Sequence, residues 1–197
     1  MGTTARGALL ALLALLALLA VLACGARADG LPPSIATQLP AGYQPMVARE
    51  GPDLGDGRRS FLVVVHRAVD TRTEPSPRPL LIFEEQPGHA YRLAARNDHV
   101  VLRANEGGQC DPFDPEGAAD SGVAVKGRYF TVQNFVACGQ HWSDYVTFRH
   151  DPRTHGWLFS SEIYTESFPL DEKPDEVTVT RADAHRPVTF GQWRRKD

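Results

Sequence analysis

The amino-acid sequence predicts an all-β fold: a single-domain antiparallel β-sandwich or partly closed barrel, with at most one short N-terminal helix. Short apolar runs rich in Val, Ile, Phe and Tyr recur along the chain, as is typical of strands. The 15 prolines and 17 glycines cluster between these runs and supply turns. No helical period of 3.6 residues continues beyond about two turns, which disfavours a helical or α/β architecture.

The elements follow in order along the chain. Residues 29–59 are rich in Pro, Gly and Asp and are expected to be irregular, apart from one short helix starting at Pro33. The all-β domain is expected to span 60–197. Its first strand, 61–65, is continuously apolar, as expected of a central strand that is buried on both faces. Further strands are predicted at 80–83, 91–94, 100–102, 123–125, 129–136, 145–150, 157–164, 177–180 and 188–190, with the pair 91–94 and 100–102 joined around Asn97 and Asp98.

The strand at 145–150 shows the clearest two-residue alternation. Val146, Phe148 and His150 are expected on one face. The opposite face then carries Tyr145, Thr147 and Arg149. A half-buried strand has this pattern, so we expect one of its faces to pack in the core.

The N-terminus has the pattern of a secretory signal peptide over residues 1–28. Arg6 precedes an apolar run that is shorter than the roughly 20 residues needed to cross a bilayer, which disfavours an uncleaved anchor helix. Small residues around Ala28 predict cleavage there. An imperfect lipobox makes Cys24 an alternative lipidation site, and then a lipid anchor would be the chain's one attachment to a membrane. We therefore expect a periplasmic or secreted protein, or one anchored by lipid to the bacterial envelope.

The charge and cysteine content narrow the class further. The formal net charge of −3 and the lack of a basic block argue against nucleic-acid binding. Once the signal segment is removed, Cys110 and Cys138 remain. In an oxidising compartment two remaining cysteines are expected to pair. Such a disulfide would stabilise the fold by about 3–4 kcal/mol in the chain-entropy model.

Two stretches carry residue types that metal sites and active sites use. The stretch PDLGDGRRSFLVVV resembles an aspartate-rich calcium loop of the FG-GAP type, with Asp53 and Asp56 as ligands. The loop is one residue short and lacks the usual Asn and the last carboxylate, so a plain turn before a buried strand is favoured. The stretch VACGQHWSDY offers His141 and Asp144 as an acid–base pair for hydrolysis.

The same stretch permits two further readings. Cys138 with His141 would make a cysteine nucleophile, but the expected disulfide removes the thiol. A zinc site would combine Cys110, Cys138, His141 and Asp144, although their spacing matches no familiar zinc module. The favoured interpretation is a disulfide beside a packed Trp142, and we expect no cofactor.

The order of several motifs resembles a group of secreted or lipoprotein-like bacterial proteins of unassigned chemistry. The motifs run over about residues 50–165 and are DLGDGRRSFLVVV, RPLLIFEE, YRLAARNDHVVL, EGGQCDPF, GRYFTVQNFVACGQHW and YVTFRHD. The resemblance implies an extracytoplasmic β-protein and no catalytic residue. Members of that group often carry a fuller D-L-N-x-D-G loop than the one at Asp53–Gly57 here. The leading expectation is a binding or structural module for an envelope partner or a small ligand, with a hydrolase and a calcium or zinc module as alternatives.

Overall fold

The computed structural model describes residues 31–107, 110–113, 122–136, 141–168 and 173–196, and one compact unit spans Pro32–Asp197. The described elements are one short helix and nine strands. Their bounds are α1 (Pro33–Ala36), β1 (Tyr43–Asp53), β2 (Arg59–Arg67), β3 (Leu80–Glu85), β4 (Tyr91–Asn97), β5 (Val123–Lys126), β6 (Tyr129–Val136), β7 (His141–Asp151), β8 (Gly156–Ser167) and β9 (Glu176–Arg181).

The strands form two antiparallel sheets in simple sequential order. One sheet has the order β1-β2-β3-β4, and the other has the order β5-β6-β7-β8-β9. The two sheets share one apolar cluster that contains Leu62 and Ile82 from the first sheet and Phe130 and Phe148 from the second. This arrangement confirms the predicted antiparallel β-sandwich with one short N-terminal helix. In the described ranges, the strands do not close into a barrel.

The predicted central strand is confirmed. All five residues of 61–65 are buried, and Val63 and Val65 are 0 % exposed. The neighbouring strand β3 is equally apolar, and its first four residues are also 0 % exposed. A strand buried on both faces needs no alternation, which explains why this part of the sequence reads as a continuous apolar run.

The expectation of an irregular segment over 29–59 is wrong for Tyr43–Asp53. These residues form β1, which pairs with β2 along nearly its whole length. The register shifts twice, near Pro45 and near Pro52, so the strand accommodates turn-forming residues through bulges. Partner β2 offers a complete backbone edge, and pairing with that edge overrides the weak local propensity.

The strand expected at 100–102 is also wrong, because side chains replace the backbone ladder there. The Asn97 side chain accepts hydrogen bonds from the amides of His99 and Val100, at 2.7 and 3.0 Å. Asn134 accepts from the Leu102 amide at 3.1 Å and donates to the Val100 carbonyl at 3.0 Å. Both asparagines are buried, so these bonds satisfy backbone groups that would otherwise lack a partner in the core. At 188–190 the backbone forms an isolated bridge with β8 and no named strand.

A β-bulge in β8 changes which of its side chains face the core. Thr147 pairs with Ser161, but the next residue, Phe148, pairs with Phe159, so Ser160 is the extra residue. Beyond the bulge the alternation is inverted. Glu162 therefore lies opposite the buried Val146 and faces inward, whereas Ile163 faces outward and is 40 % exposed.

Candidate functional site

Strand β7 places the two residues of the predicted acid–base pair on opposite faces of the sheet. Its register with β8 is unbroken from His141 to Thr147, so residues 141 and 144 have opposite orientations. Asp144 faces the core and is 0 % exposed, while His141 is half-buried on the other face. The two side chains do not form a catalytic pair. Trp142 shares the inner face with Asp144 and stacks against Tyr164 at 6.4 Å between ring centroids.

The structure gives Asp144 a different set of neighbours. Its Oδ2 accepts a hydrogen bond from Nη1 of Arg195, which arrives from the C-terminal segment. The same Nη1 lies 4.0 Å from Oε1 of Glu162 on β8. We call these three residues the Asp144 cluster. Within the described part of the chain, Oδ1 of Asp144 and both Nε and Nη2 of Arg195 are buried without a hydrogen-bond partner.

Burial and mutual repulsion set the protonation of the two carboxyl groups. Loss of solvent raises the pKa of Asp144, and the charge of Arg195 opposes this shift only in part. Burial also raises the pKa of Glu162, and the nearby negative charge of Asp144 raises it further. Two carboxyl groups share one guanidinium, so the second negative charge is only partly compensated.

The C-terminal segment is fixed in place by the core. Phe190 and Trp193 are 0 % and 4 % exposed and belong to the main apolar cluster. The Asn97 side chain donates hydrogen bonds to the carbonyls of both residues. The guanidinium of Arg195 lies 5.8 Å from the centre of the Trp193 ring. This anchoring delivers Arg195 to Asp144, although the two residues are far apart in the sequence.

A groove of about 510 Å³ lies beside this cluster, between β8, β9 and the C-terminal segment. Its apolar walls are Phe159, Val188 and Trp193. The charged side chains that line it are four cations, Arg181, Arg186, Arg194 and Lys196, and two acids, Glu162 and Asp183. Thr180, Ala182 and Gln192 complete the lining.

The cations of this groove differ in how far they are neutralised. Arg186 forms an ion pair with Asp183 at 3.0 Å. Arg194 donates to the carbonyls of Gly191 and Trp193. Arg181 and Lys196 form no ion pair with any described carboxylate. The groove therefore keeps a surplus of positive charge over an apolar wall.

In the predicted calcium loop, the two aspartates bind groups of the loop itself. Oδ1 of Asp53 accepts a hydrogen bond from the Gly55 amide at 2.6 Å. Oδ2 of Asp56 accepts from Nε and Nη2 of Arg58 at 2.8 and 2.6 Å, and Oδ1 accepts from the Arg58 amide. These contacts lower the pKa of Asp56, chiefly through the Arg58 side chain. The arrangement is that of a tight turn in which an arginine already occupies the position a cation would take.

The remaining predicted residues are only partly described. Cys110 lies in the segment 110–113, but Cys138 falls outside the described residues, so their disulfide stays a prediction, as does the zinc set that includes both. Cys24 and Ala28 also lie outside the described residues. Among described positions, no three His, Cys, Asp or Glu side chains are grouped as metal ligands. In that same part of the chain, no helix is both long and apolar enough to cross a membrane.

Asp144 stands out in the sequence as a candidate site residue, whereas its partners Glu162 and Arg195 do not. The bulge at Ser160, which turns Glu162 inward, has no signature in the local sequence. Arg195 lies in a basic stretch that reads as a solvated tail. A charged residue within the strand pattern 157–164 was the one signal that pointed toward Glu162.

No family model, no curated protein and no solved structure matched the chain.

Proposed function

We propose that this protein is a non-catalytic binding module of the bacterial periplasm or envelope that takes a small anionic ligand in the groove beside its C-terminal segment. The signal-peptide pattern over 1–28 supports the compartment. The ligand class is inferred from the lining of that groove, where cationic side chains outnumber acidic ones beside an apolar wall.

The groove has the properties of a small-molecule site. Its volume of about 510 Å³ lies within the range of roughly 300–1,000 Å³ that is common for such sites. Trp193 gives it a rigid aromatic wall that is fixed in the core, and Lys196 and Arg181 supply uncompensated charge at its rim. An organic phosphate or carboxylate with an apolar group would use both features, whereas a neutral or purely inorganic ligand would use only one.

Calorimetric titration with phenyl phosphate tests the proposed ligand class. We expect phenyl phosphate to bind more tightly than either phenol or inorganic phosphate, because each of these lacks one of the two interactions. The double variant Arg181→Gln/Lys196→Gln, which removes the two cations that form no ion pair with a described carboxylate, is expected to weaken binding by roughly tenfold, which corresponds to about 1.4 kcal/mol. Arg92→Gln on the exposed side of β4 is the matched control and leaves binding unchanged.

If phenyl phosphate fails to bind, or binds equally to the double variant and the Arg92→Gln control, the groove is not an anion site.

The intact mass of the protein isolated from its native host tests the compartment. Cleavage after Ala28 and a mass two daltons below that of the reduced chain are expected for a soluble protein with a Cys110–Cys138 disulfide. An N-terminal Cys24 with acyl chains would instead indicate a lipid anchor. An uncleaved chain with free thiols contradicts the proposed compartment.

A hydrolase built on His141 and Asp144 has no support in the geometry. The two residues face opposite sides of β7, and Asp144 already holds an ion pair with Arg195. A calcium module based on Asp53 and Asp56 is likewise unsupported, since the Asp56 carboxylate already forms an ion pair with the Arg58 guanidinium.

A further inference from the structure

The edge of the first sheet at β4 is closed by side chains around helix α1. Ser34 accepts a hydrogen bond from the Tyr91 amide at 3.0 Å. Gln38 accepts from the Leu93 amide at 3.0 Å and donates to the Tyr91 carbonyl at 2.7 Å. The backbone groups of this edge therefore have partners within the molecule, as is common for edge strands that must not pair with another chain.

Two other edges are also protected. Strand β1 contains Pro45 and two register shifts, which interrupt a regular row of donors and acceptors. At β5, Arg49 donates a hydrogen bond to the Val123 carbonyl from across the sandwich.

The edge at β9 has none of these protections. Five of its six residues are exposed, and the strand Glu176–Arg181 contains no Pro, no Lys and no register shift against β8. The Ala182 amide donates to the Ser160 carbonyl, which fixes the alternation of the ladder. In β9 the even-numbered residues therefore direct their backbone N–H and C=O groups toward β8. The backbone groups of Val177, Val179 and Arg181 point the other way, to the open edge. In the described ranges, no strand lies beside them.

The outer face of the sheet at this edge is apolar. Tyr145, Ile163 and Val179 are cross-strand neighbours, and they are 37 %, 40 % and 48 % exposed. Val177, also on β9, is 59 % exposed. The apolar row therefore ends at an edge where no described strand lies, and a further strand would extend it.

We propose that two copies of this chain associate through antiparallel pairing of their β9 strands, with the two-fold axis at Thr178. A two-fold axis perpendicular to the sheet places the outer faces of both copies on the same side. Paired residues must then lie on the same face, so the axis passes through a residue of β9. The charges near the ends of the strand determine which residue this is. With Thr178 at the axis, Val177 of one copy lies opposite Val179 of the other, and Asp175 lies opposite Arg181.

Neighbouring registers are disfavoured by like charges. Centring the axis on Val179 would place Asp175 opposite Asp183, and centring it on Val177 would place Lys173 opposite Arg181. Like charges directly opposite each other destabilise a strand pair, and opposite charges stabilise it. Asp175 and Arg181 form no ion pair with a described residue within one copy, so both are available to the second copy.

Sedimentation velocity of the mature protein over a wide concentration range tests the association. We expect a monomer that converts to a species of twice the mass. Val177→Lys is expected to weaken the dimer by roughly tenfold or more, whereas Val69→Lys, at a residue 61 % exposed outside this strand, leaves it unchanged. Asp175→Arg and Arg181→Asp each weaken the dimer, and combining them restores it.

Cross-linking tests the register. In this pairing Thr178 of one copy lies opposite Thr178 of the other. The two residues form a non-hydrogen-bonded pair, in which the Cα atoms are about 4.5 Å apart. Oxidised Thr178→Cys protein is therefore expected to form a covalent dimer, and Val179→Cys is not. A monomer at every concentration, or cross-linking through Val179→Cys instead of Thr178→Cys, would overturn the proposal. Val177 does not line the groove, so the outcome for Val177→Lys is independent of ligand binding.

Discussion

Arg78 is 2 % exposed and is the centre of a buried ionic network that ties two loops together. Its Nε lies 2.6 Å from Oδ2 of Asp70, whose side chain is 0 % exposed. Its Nη1 and Nη2 both donate to Asp111 at 2.7 Å, in a bidentate pair. Asp111 directly follows Cys110, so Arg78 positions the turn that carries the predicted disulfide. We consider the substitution Arg78→Met, which retains much of the aliphatic stem and removes the charge.

The expected loss in free energy of unfolding follows from the burial of the ion pair. Without Arg78, the hydrogen bonds that the Asp70 carboxylate keeps within the described residues are those that Ser76 donates to Oδ1. Removing one member of a buried ion pair costs about 3–5 kcal/mol, because the remaining charge stays desolvated. For a domain of this size such a loss lowers the melting temperature by about 10 °C.

A second Arg–Asp pair in the same protein provides the control. Nε of Arg96 lies 2.6 Å from Oδ1 of Asp98, the same separation as between Arg78 and Asp70, but these side chains are 42 % and 37 % exposed. Exposed pairs contribute about 0–1 kcal/mol. Arg96→Met should therefore change stability little, although the contact distance is identical.

Urea denaturation followed by tryptophan fluorescence measures both variants, and pH adds a second readout. Burial tends to raise the pKa of Asp111, but its hydrogen bonds with Arg78 and with the Phe113 amide lower the pKa overall. A lowered carboxyl pKa stabilises the fold above the unfolded-state pKa of about 3.9 and ceases to do so as pH falls through the folded value. The gap between wild type and Arg78→Met should thus narrow in acid. Equal losses for Arg78→Met and Arg96→Met would refute the reasoning from burial.

Two further predictions concern the site and a turn. Glu162→Gln removes a carboxyl group whose pKa is raised by burial and by the charge of Asp144. The variant should therefore be more stable than wild type near pH 7.5, and this difference should disappear as the pH falls to about 4. Urea titrations at the two pH values measure the difference, and an equal difference at both would contradict the prediction. Gly122→Ala places a Cβ 2.3 Å from the Phe113 ring at a φ of +98°, whereas Gly42→Ala, at a φ of +79°, meets nothing within 4 Å. We expect Gly42→Ala to cost about 1–2 kcal/mol for the backbone alone and Gly122→Ala to cost about 1–3 kcal/mol more; similar melting temperatures for the two variants would show that Phe113 can move aside.

The sequence predicted the strands whose partners and neighbours follow the regular pattern. Val146 and Phe148 alternate with polar residues, and their burial at 0 % matches the expected inner face. Tyr145, on the opposite face of β7, is 37 % exposed, and Tyr164 on β8 is exposed to the same extent. For Tyr164 the reason is its place beyond the bulge, toward the end of β8, where the inner face carries polar groups.

The candidate site was predictable only in part. Asp144 stands out in the sequence because it precedes a strand in a stretch with a histidine and a tryptophan. Its assignment to an acid–base pair with His141 failed, since residues three apart on a continuous strand face opposite ways. Its actual partner Arg195 is delivered by a C-terminal segment that Phe190 and Trp193 hold in the core.

The sequence by itself determined the all-β class, the central strand 61–65 and the alternation of β7, because these depend on local composition and period. Only the tertiary structure decided which charges meet. One extra residue at Ser160 turns Glu162 toward Asp144 and Ile163 toward solvent, and a bulge of this kind is set by pairing with the neighbouring strand. The Asp144 cluster, the cationic groove and the open edge of β9 all arise from contacts between distant segments, which no short stretch of sequence encodes.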